Sequence, residues 1–378
     1  MKTETFRGIN NVSESTALKP GEFSAATNVI IGTSGKLSTR PARTLVATGT
    51  AASPRRWLGQ VIALLDSDLV AMSEAGAVQR VVYPSLGYTR VWYAQLPDGR
   101  LAFSNGLING LVSPGGVAVA WGVPTPADAG FGVAGGTRYH VTYVRSSDGL
   151  EGPPTYSTDL IDPATSIVGL PQLAGHTINV YFAPYGEAAF YAGSTPSDTF
   201  LKPAGELGAQ FIGSGLGAPS VGTQLTVWRS RVLIADGSVL WATKPLQPEL
   251  CDLTQDFVQM PAPITLLYGA DNGIFVGTTQ ATYFLTGDTF GQLALRMIAP
   301  GPATLGSIVE IDASGLSDKV RPEGVLRVGV CIINGSICML AGGSVVPLTS
   351  SAYRRTMTEV YATARLYGGH LQYLAASV

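Results

Sequence analysis

Val330-Cys331-Ile332-Ile333-Asn334-Gly335-Ser336-Ile337-Cys338-Met339-Leu340 is the stretch whose reading decides the fold class. Apolar, largely β-branched residues run up to an Asn-Gly dipeptide and away from it again. Such a dipeptide accepts the two positive φ angles of a two-residue hairpin, and its flanks favour a pleated surface. The same signature recurs along the chain. Asp98-Gly99 lies between Val91-Trp92-Tyr93-Ala94 and Arg100-Leu101-Ala102-Phe103, and Asp236-Gly237 between Arg231-Val232-Leu233-Ile234 and Ser238-Val239-Leu240-Trp241. Asn272-Gly273 precedes Ile274-Phe275-Val276, and Gly368-Gly369 precedes His370-Leu371-Gln372-Tyr373-Leu374. Helical periodicity is nearly absent. These features predict an all-β protein.

The spacing of the turns carries further information. Gly35, Ser67 and Gly99 fall 32 residues apart; Gly237 to Gly273 is 36, Gly273 to Gly335 is 62 (two steps of 31), and Gly335 to Gly369 is 34. A hairpin every 30-odd residues is what stacked β-units such as propeller blades produce. A series of β-sandwiches is the alternative. The period breaks between Gly99 and Gly237, where the sequence changes character. Gly122-Val123-Pro124-Thr125-Pro126 reads as a linker, and Phe131-Gly132-Val133-Ala134-Gly135-Gly136 as a flexible entry. Thr137-Arg138-Tyr139-His140-Val141-Thr142-Tyr143-Val144 then alternates as a strand. A turn at Ser147-Asp148-Gly149, the bend Leu150-Glu151-Gly152-Pro153-Pro154 and a second strand from Thr177 to Ala183 follow. This segment resembles a fibronectin type III-like sandwich, with the glycine-rich run Gly213 to Gly217 as its exit linker. The expected organisation is a β-propeller-like body in two parts, 1–124 and 220–378, interrupted by a fibronectin type III-like insert at 125–219.

Composition narrows the function classes. The chain has 378 residues with 46 glycines and 24 prolines, yet 46% of it is hydrophobic, which separates it from disordered Gly/Pro-rich chains. Only 13% is charged and the net charge is −2. A chain so poor in solvated charge suits an assembly subunit covered by other protein, with a large well-buried monomer as the bland alternative. A general nucleic-acid binder would need a basic stripe for phosphates. The start, Met1 to Arg7, lacks the apolar core of a signal peptide. The most apolar run, Val325 to Leu340, is interrupted by Arg327, Gly329, Asn334, Gly335 and Ser336, so no membrane insertion is expected. Three cysteines make no disulfide framework. Cys331 and Cys338 flank the Asn334-Gly335 turn and are expected to be buried thiols.

Two stretches resemble the propeller-type tail proteins of short-tailed bacteriophages, called tail nozzle, tail tubular or stabilisation proteins. The first runs from Phe6-Arg7-Gly8-Ile9-Asn10-Asn11 through Leu18-Lys19-Pro20-Gly21-Glu22-Phe23 and Asn28-Val29-Ile30-Ile31 to Gly35-Lys36-Leu37 and Arg40-Pro41. The second runs from Trp228-Arg229-Ser230-Arg231 through Ala235-Asp236-Gly237, Thr243-Lys244-Pro245 and Ile264-Thr265-Leu266-Leu267 to Tyr283-Phe284-Leu285-Thr286-Gly287. Arg40-Pro41-Ala42 departs from the family, which there carries arginine followed closely by glycine. The resemblance implies a structural virion protein, made in the bacterial host cytoplasm and residing in the phage tail. It would form a hexameric ring around the DNA channel, between an adaptor or connector above and fibres or a tip below. In such a body a strand from one terminus commonly completes a blade built from the other. Leu371 to Ala376 is a suitable partner strand.

The residues for chemistry are sparse. His140, His176 and His370 stand far apart with no local metal-ligand spacing, no Gly-x-Ser-x-Gly elbow occurs, and the glycine runs lack a phosphate-loop lysine. No catalytic residue, metal or cofactor is expected. Propellers also host glycosidases, so the candidate carboxylates are Asp66, Asp68, Glu151, Asp252, Asp256 and Asp271. A carbohydrate-binding or glycan-cleaving propeller is therefore the alternative function. Arg55 and Arg56 beside Trp57, and Arg354 and Arg355 beside Tyr353, are the candidate contacts to channel DNA or to a neighbouring subunit; solvated loops are the competing reading.

Overall fold

The computed structural model describes residues 8–25, 29–31, 37–39, 48–116, 118–127, 137–156, 166–184, 188–201, 206–213, 215–316, 321–349, 353–367 and 370–377. Among these residues the regular structure is β-strand with three short 3₁₀ turns and no α-helix. Among the described residues no helix is long and apolar enough to cross a membrane.

Five antiparallel sheets follow one another, each a meander in sequence order. Sheet I is Ala51–Trp57, Gln60–Leu65, Asp68–Met72 and Val78–Tyr83; sheet II is Trp92–Gln95, Leu101–Ser104, Asn109–Val112 and Ala118–Ala120. Sheet III begins Thr223–Trp228, Arg231–Asp236, Val239–Lys244. Its fourth position is shared by Gln247–Asp252 and Phe257–Gln259, with Leu216–Gly217 added outside. Sheet IV is Ile264–Ala270, Gly273–Thr278, Ala281–Thr286 and Ala294–Pro300; sheet V is Val309–Asp312, Arg327–Ile333, Ser336–Ala341 and Ser344–Pro347. A C-terminal hairpin, Val360–Tyr367 with His370–Ser377, comes last.

Neighbouring sheets share hydrophobic cores built from the inward residues of their alternating strands. Trp57, Ile62 and Leu69 of sheet I pack with Leu101, Phe103 and Val112 of sheet II. Leu96, Ala102, Leu111 and Trp121 meet Leu225, Val232 and Ile234 of sheet III. Trp228, Leu233 and Leu240 meet Leu267, Ile274 and Leu285 of sheet IV, and Phe275 and Phe284 meet Cys331, Ile333 and Leu340 of sheet V. Each fully buried Val, Leu, Ile or Phe among them contributes about 1.5–3 kcal/mol relative to exposure. The hairpin docks Leu371 and Tyr373 against Val328, Val330 and Met339, and the Tyr373 hydroxyl donates to Ser307 O at 2.6 Å.

Sheets II and III therefore pack directly although about a hundred residues separate them in the chain. The intervening segment has its own core. Thr137–Arg145 pairs along its length with His176–Pro184, flanked by Thr155–Tyr156 and Phe190–Thr195. Tyr139, Val141, Tyr143, Ile178, Val180 and Phe182 face Ile167 and Phe200 of a second, two-stranded sheet, with Val123 completing the cluster. Entry and exit lie side by side: a Cβ added to Gly122 would sit 2.9 Å from the Cβ of Ala218. The two predicted linkers are not loose. Val123 is fully buried, and Leu216–Gly217 is a strand paired with Cys251 and Asp252.

The hairpin signals are realised with local differences. Asn334 (φ 48) and Gly335 (φ 75) form the two-residue turn between Ile333 and Ser336. Asp98-Gly99 instead belongs to a three-residue turn, Pro97 to Gly99, closed by Leu96 N–H on Arg100 O at 2.8 Å. The turn expected at Asn272-Gly273 is Asp271-Asn272; Gly273 opens the next strand, where a Cβ would meet Leu285 O at 2.4 Å. The Leu107 to Val112 segment is mostly the core strand Asn109–Val112, with the tip Leu107 exposed. Val29–Ile31 pairs with Leu37–Thr39; Asn28, Gly35, Gly368 and Gly369 lie outside the described residues. Among those residues His370–Ser377 pairs with Val360–Tyr367 alone.

Candidate functional site

A meander places its first–second and third–fourth turns at one end and its second–third turns at the other. Hydrogen bonds bring like turns of neighbouring sheets together. At the turn end Trp57 Nε1 donates to Gly99 O at 3.0 Å, Arg100 pairs with Glu249, and Arg229 Nη1 donates to Gly287 O and Asp288 O. At the connector end Asn109 Nδ2 donates to Pro219 O, and Asn105 Nδ2 to Leu86 O. Arg55 and Arg56 lie on the strand Ala51–Trp57, not a loop, next to the Leu58-Gly59 turn. Both are exposed, and Arg56 meets Glu74 at 3.0 Å in an exposed pair worth about 0–1 kcal/mol. Arg354 and Arg355 are exposed at the opposite, connector end, where Arg355 N–H donates to Gly335 O at 2.8 Å. The four arginines form two separate pairs.

Two candidate carboxylates do converge. Lys244 Nζ lies 3.1 Å from both Asp252 Oδ2 and Asp256 Oδ2, and Arg231 Nη1 donates to Asp256 Oδ1 at 2.9 Å. Sheet III's fourth strand breaks between Asp252 and Asp256, which is why both carboxylates turn inward at one spot. The Thr254 hydroxyl (2.6 Å) and Lys244 hold the Asp252 carboxyl below the ordinary carboxylate range. Burial pushes the neighbouring Cys251 thiol up to about 12, so it is no nucleophile. Paired ions of this kind fasten the broken strand.

Glu151 forms the other cluster. Its Oε1 accepts from the Thr142 hydroxyl, from Asn179 Nδ2 at 3.0 Å and from the Tyr181 hydroxyl at 2.5 Å. Tyr181 lies edge-on to Tyr191, and Ser194 links Tyr191 to Asn179 Oδ1. Burial and the Glu151 bond raise the Tyr181 hydroxyl far above its usual range. Asp66 and Asp68 accept from the backbone N–H groups of Thr50 and Ser85. Among the described residues no three His, Cys, Asp or Glu stand close enough to hold a metal ion.

Sequence reasoning missed two features. Arg90 stacks its guanidinium over Trp92 at 4.0 Å and Tyr361 at 4.3 Å while donating to Glu359 Oε1 and Val360 O. It ties the sheet I–II connector to the C-terminal hairpin, and its spacing two residues before Trp92 was the available signal. Leu58 (φ 48) and Leu246 (φ 61) are turn residues with 51% and 79% exposure. Leu326, 78% exposed, leads into the second strand of sheet V at the same end.

Comparison with protein-family models gives no match, and comparison with curated proteins gives none. Solved structures that are similar include a computationally designed protein (11% identity, 86% of this chain, 96% of that one, TM-score 0.28). BBS1N bound to ARL6DN is similar at 10% identity over 86% of this chain and 91% of that one, with TM-score 0.37. PorZ, a surface component of the type-IX secretion system of Porphyromonas gingivalis, matches at 12% identity over 88% of this chain and 52% of that one, with TM-score 0.21. Scores this low carry no argument about topology or function. The class that the strands themselves define is an all-β protein of many small antiparallel sheets.

Proposed function

We propose that this chain is a non-enzymatic structural subunit of a bacteriophage tail, a propeller-like body (1–124 and 220–378) carrying a fibronectin type III-like insert (125–219). The observation that carries the structural reading is the placement of Leu58 and Leu246. Both occupy left-handed turn positions that favour Asn or Gly, and both point an apolar side chain outward. Packing within the described fold recovers little from that choice, and we read these side chains as contacts to a neighbouring subunit. The arginine pairs at opposite ends suit a ring docked on both sides, with an adaptor at one face and fibres or a tip at the other. The converged carboxylates Asp252 and Asp256 are neutralised by Lys244 and Arg231, which argues against hydrolysis there. The phage assignment itself rests on the resemblance of the N-terminal and sheet III–IV sequences.

A second reading, glycan binding, is favoured by one place only: Glu151 beside Tyr181, Tyr191 and Asn179 on the insert. Locating the subunit in images of an intact particle, together with a glycan array on the isolated protein, tests both readings. Density for this chain in a ring around the channel is expected. Absence from the particle, or saturable glycan binding that Glu151→Gln removes, overturns the tail reading.

A further inference from the structure

Sheets I, II, IV and V are four strands in order, and sheet III is the same with its fourth position split; a connector, or the insert after sheet II, leads to the next first strand. Short connectors span 84–91, 260–263, 301–308 and 348–359. The last of these leads to a hairpin of two strands only. That hairpin is already seated as a sixth unit. Its first strand lies beside Val309–Asp312 of sheet V, and Arg90 fastens Glu359 and Val360 to the connector between sheets I and II. Its second strand, His370–Ser377, has a free outer edge among the described residues. Eight residues of open edge are a template for unwanted pairing unless something covers them.

The other end of the chain holds the complementary piece. Val29–Ile31 and Leu37–Thr39 form a hairpin that pairs with nothing else among the described residues. Residues 40–50 then lead to the first strand of sheet I, a length within the range of the other connectors. In chain order this hairpin precedes sheet I as the last two strands of sheets I and IV precede the sheet that follows each. The N-terminal segment is also delivered to the right place. Asn11 Nδ2 donates to Arg354 O at 2.7 Å and Asn11 Oδ1 accepts from Arg354 N–H at 2.9 Å, just before the C-terminal hairpin begins. From Phe23, fixed beside Ile9, six residue steps reach Val29, a span of up to about 20 Å. A third strand needs to lie only about 10 Å from the first.

We propose that the N-terminal hairpin of the same chain supplies the third and fourth strands beside His370–Ser377, closing the body as six four-stranded units with the last shared between the termini. This rests on the ring reading of the body and is independent of the phage assignment. Asn11 is the latch that holds the N-terminal segment beside that edge.

Native-state hydrogen exchange on the full chain tests it, compared with a variant starting at residue 48 and with Ile30→Pro, which breaks the hairpin without removing it. Protection of 370–377 in the full chain is expected, falling about tenfold or more in both variants while sheets II–IV keep theirs. If the shortened chain does not fold, Ile30→Pro decides alone. Equal exchange of 370–377 in the full chain and Ile30→Pro overturns the proposal. Protection that grows with protein concentration and accompanies a dimer also overturns it, by assigning the strands to a second copy. Loss of protection throughout sheets I–V in the unaltered protein would instead sink the ring reading.

Discussion

Leu246 occupies the third position of the turn Lys244-Pro245-Leu246-Gln247, where φ is +61 and glycine or asparagine is the favoured residue. A left-handed conformation costs a branched side chain about 1–2 kcal/mol, and a side chain 79% exposed recovers little of it by packing. Leu246→Asn is therefore expected to raise the unfolding free energy by about 0.5–1 kcal/mol in a denaturant titration. Under the tail reading the same variant should incorporate less well into particles, because it removes an outward apolar side chain at the turn end. A clear loss of stability would show instead that Leu246 packs within the fold. Cys331 and Cys338 are the opposite case. They sit directly across the hairpin from each other and are buried among Phe275, Phe284 and Leu340, as small apolar residues would be.

At the level of elements, the insert is the feature most open to surgery. Gly122 and Ala218 touch, Asn109 Nδ2 bonds Pro219 O at 3.0 Å, and sheets II and III share a core that excludes the insert. The insert joins the body through Val123, the bond from Arg145 Nη1 to Ala120 O and the Leu216–Gly217 strand on sheet III. Replacing residues 127–219 with a short Gly/Ser linker should leave a soluble protein with a β-type circular dichroism spectrum and a cooperative melt. Val123 would lose its covering, so some loss of stability is expected. Complete failure to fold would place the segment inside the main core. The sheet III break at Asp252–Asp256 teaches a related lesson: the ion pairs there hold two half-strands in the place of one.

For the whole molecule, low charge and outward leucines pull toward association, while a subunit assembled in sequence must stay apart until its template is present. The structural reading therefore predicts a monomer in sedimentation of the purified protein at micromolar concentration, and a ring only in the assembled tail. Stable closed rings without a partner would refute templated assembly and leave the structural role standing. The exposed turn-end residues Leu58, Leu246 and Leu326 stand on sheets I, III and V. Contact through them engages several sheets at once, which suits a face rather than a single groove.

The sequence by itself determined that the chain is all-β, the hairpin at Asn334-Gly335 and the neighbourhood of several others, and that Cys331 and Cys338 are buried thiols. Alternation and turn chemistry are local properties, written within a few residues of where they act, as at Ile333-Asn334-Gly335-Ser336. Tertiary structure alone decided what meets what. The contact of sheet II with sheet III across the insert, and the carboxylate of Glu151 held by Thr142 from one strand and by Asn179 and Tyr181 from another, join residues that the chain separates. The division of four candidate arginines between opposite ends depends on how the sheets stack. Arg90 between two aromatic rings belongs with these, because one of those rings comes from Tyr361, at the far end of the chain. Such contacts are set by packing between sheets, which spacing within one strand does not encode.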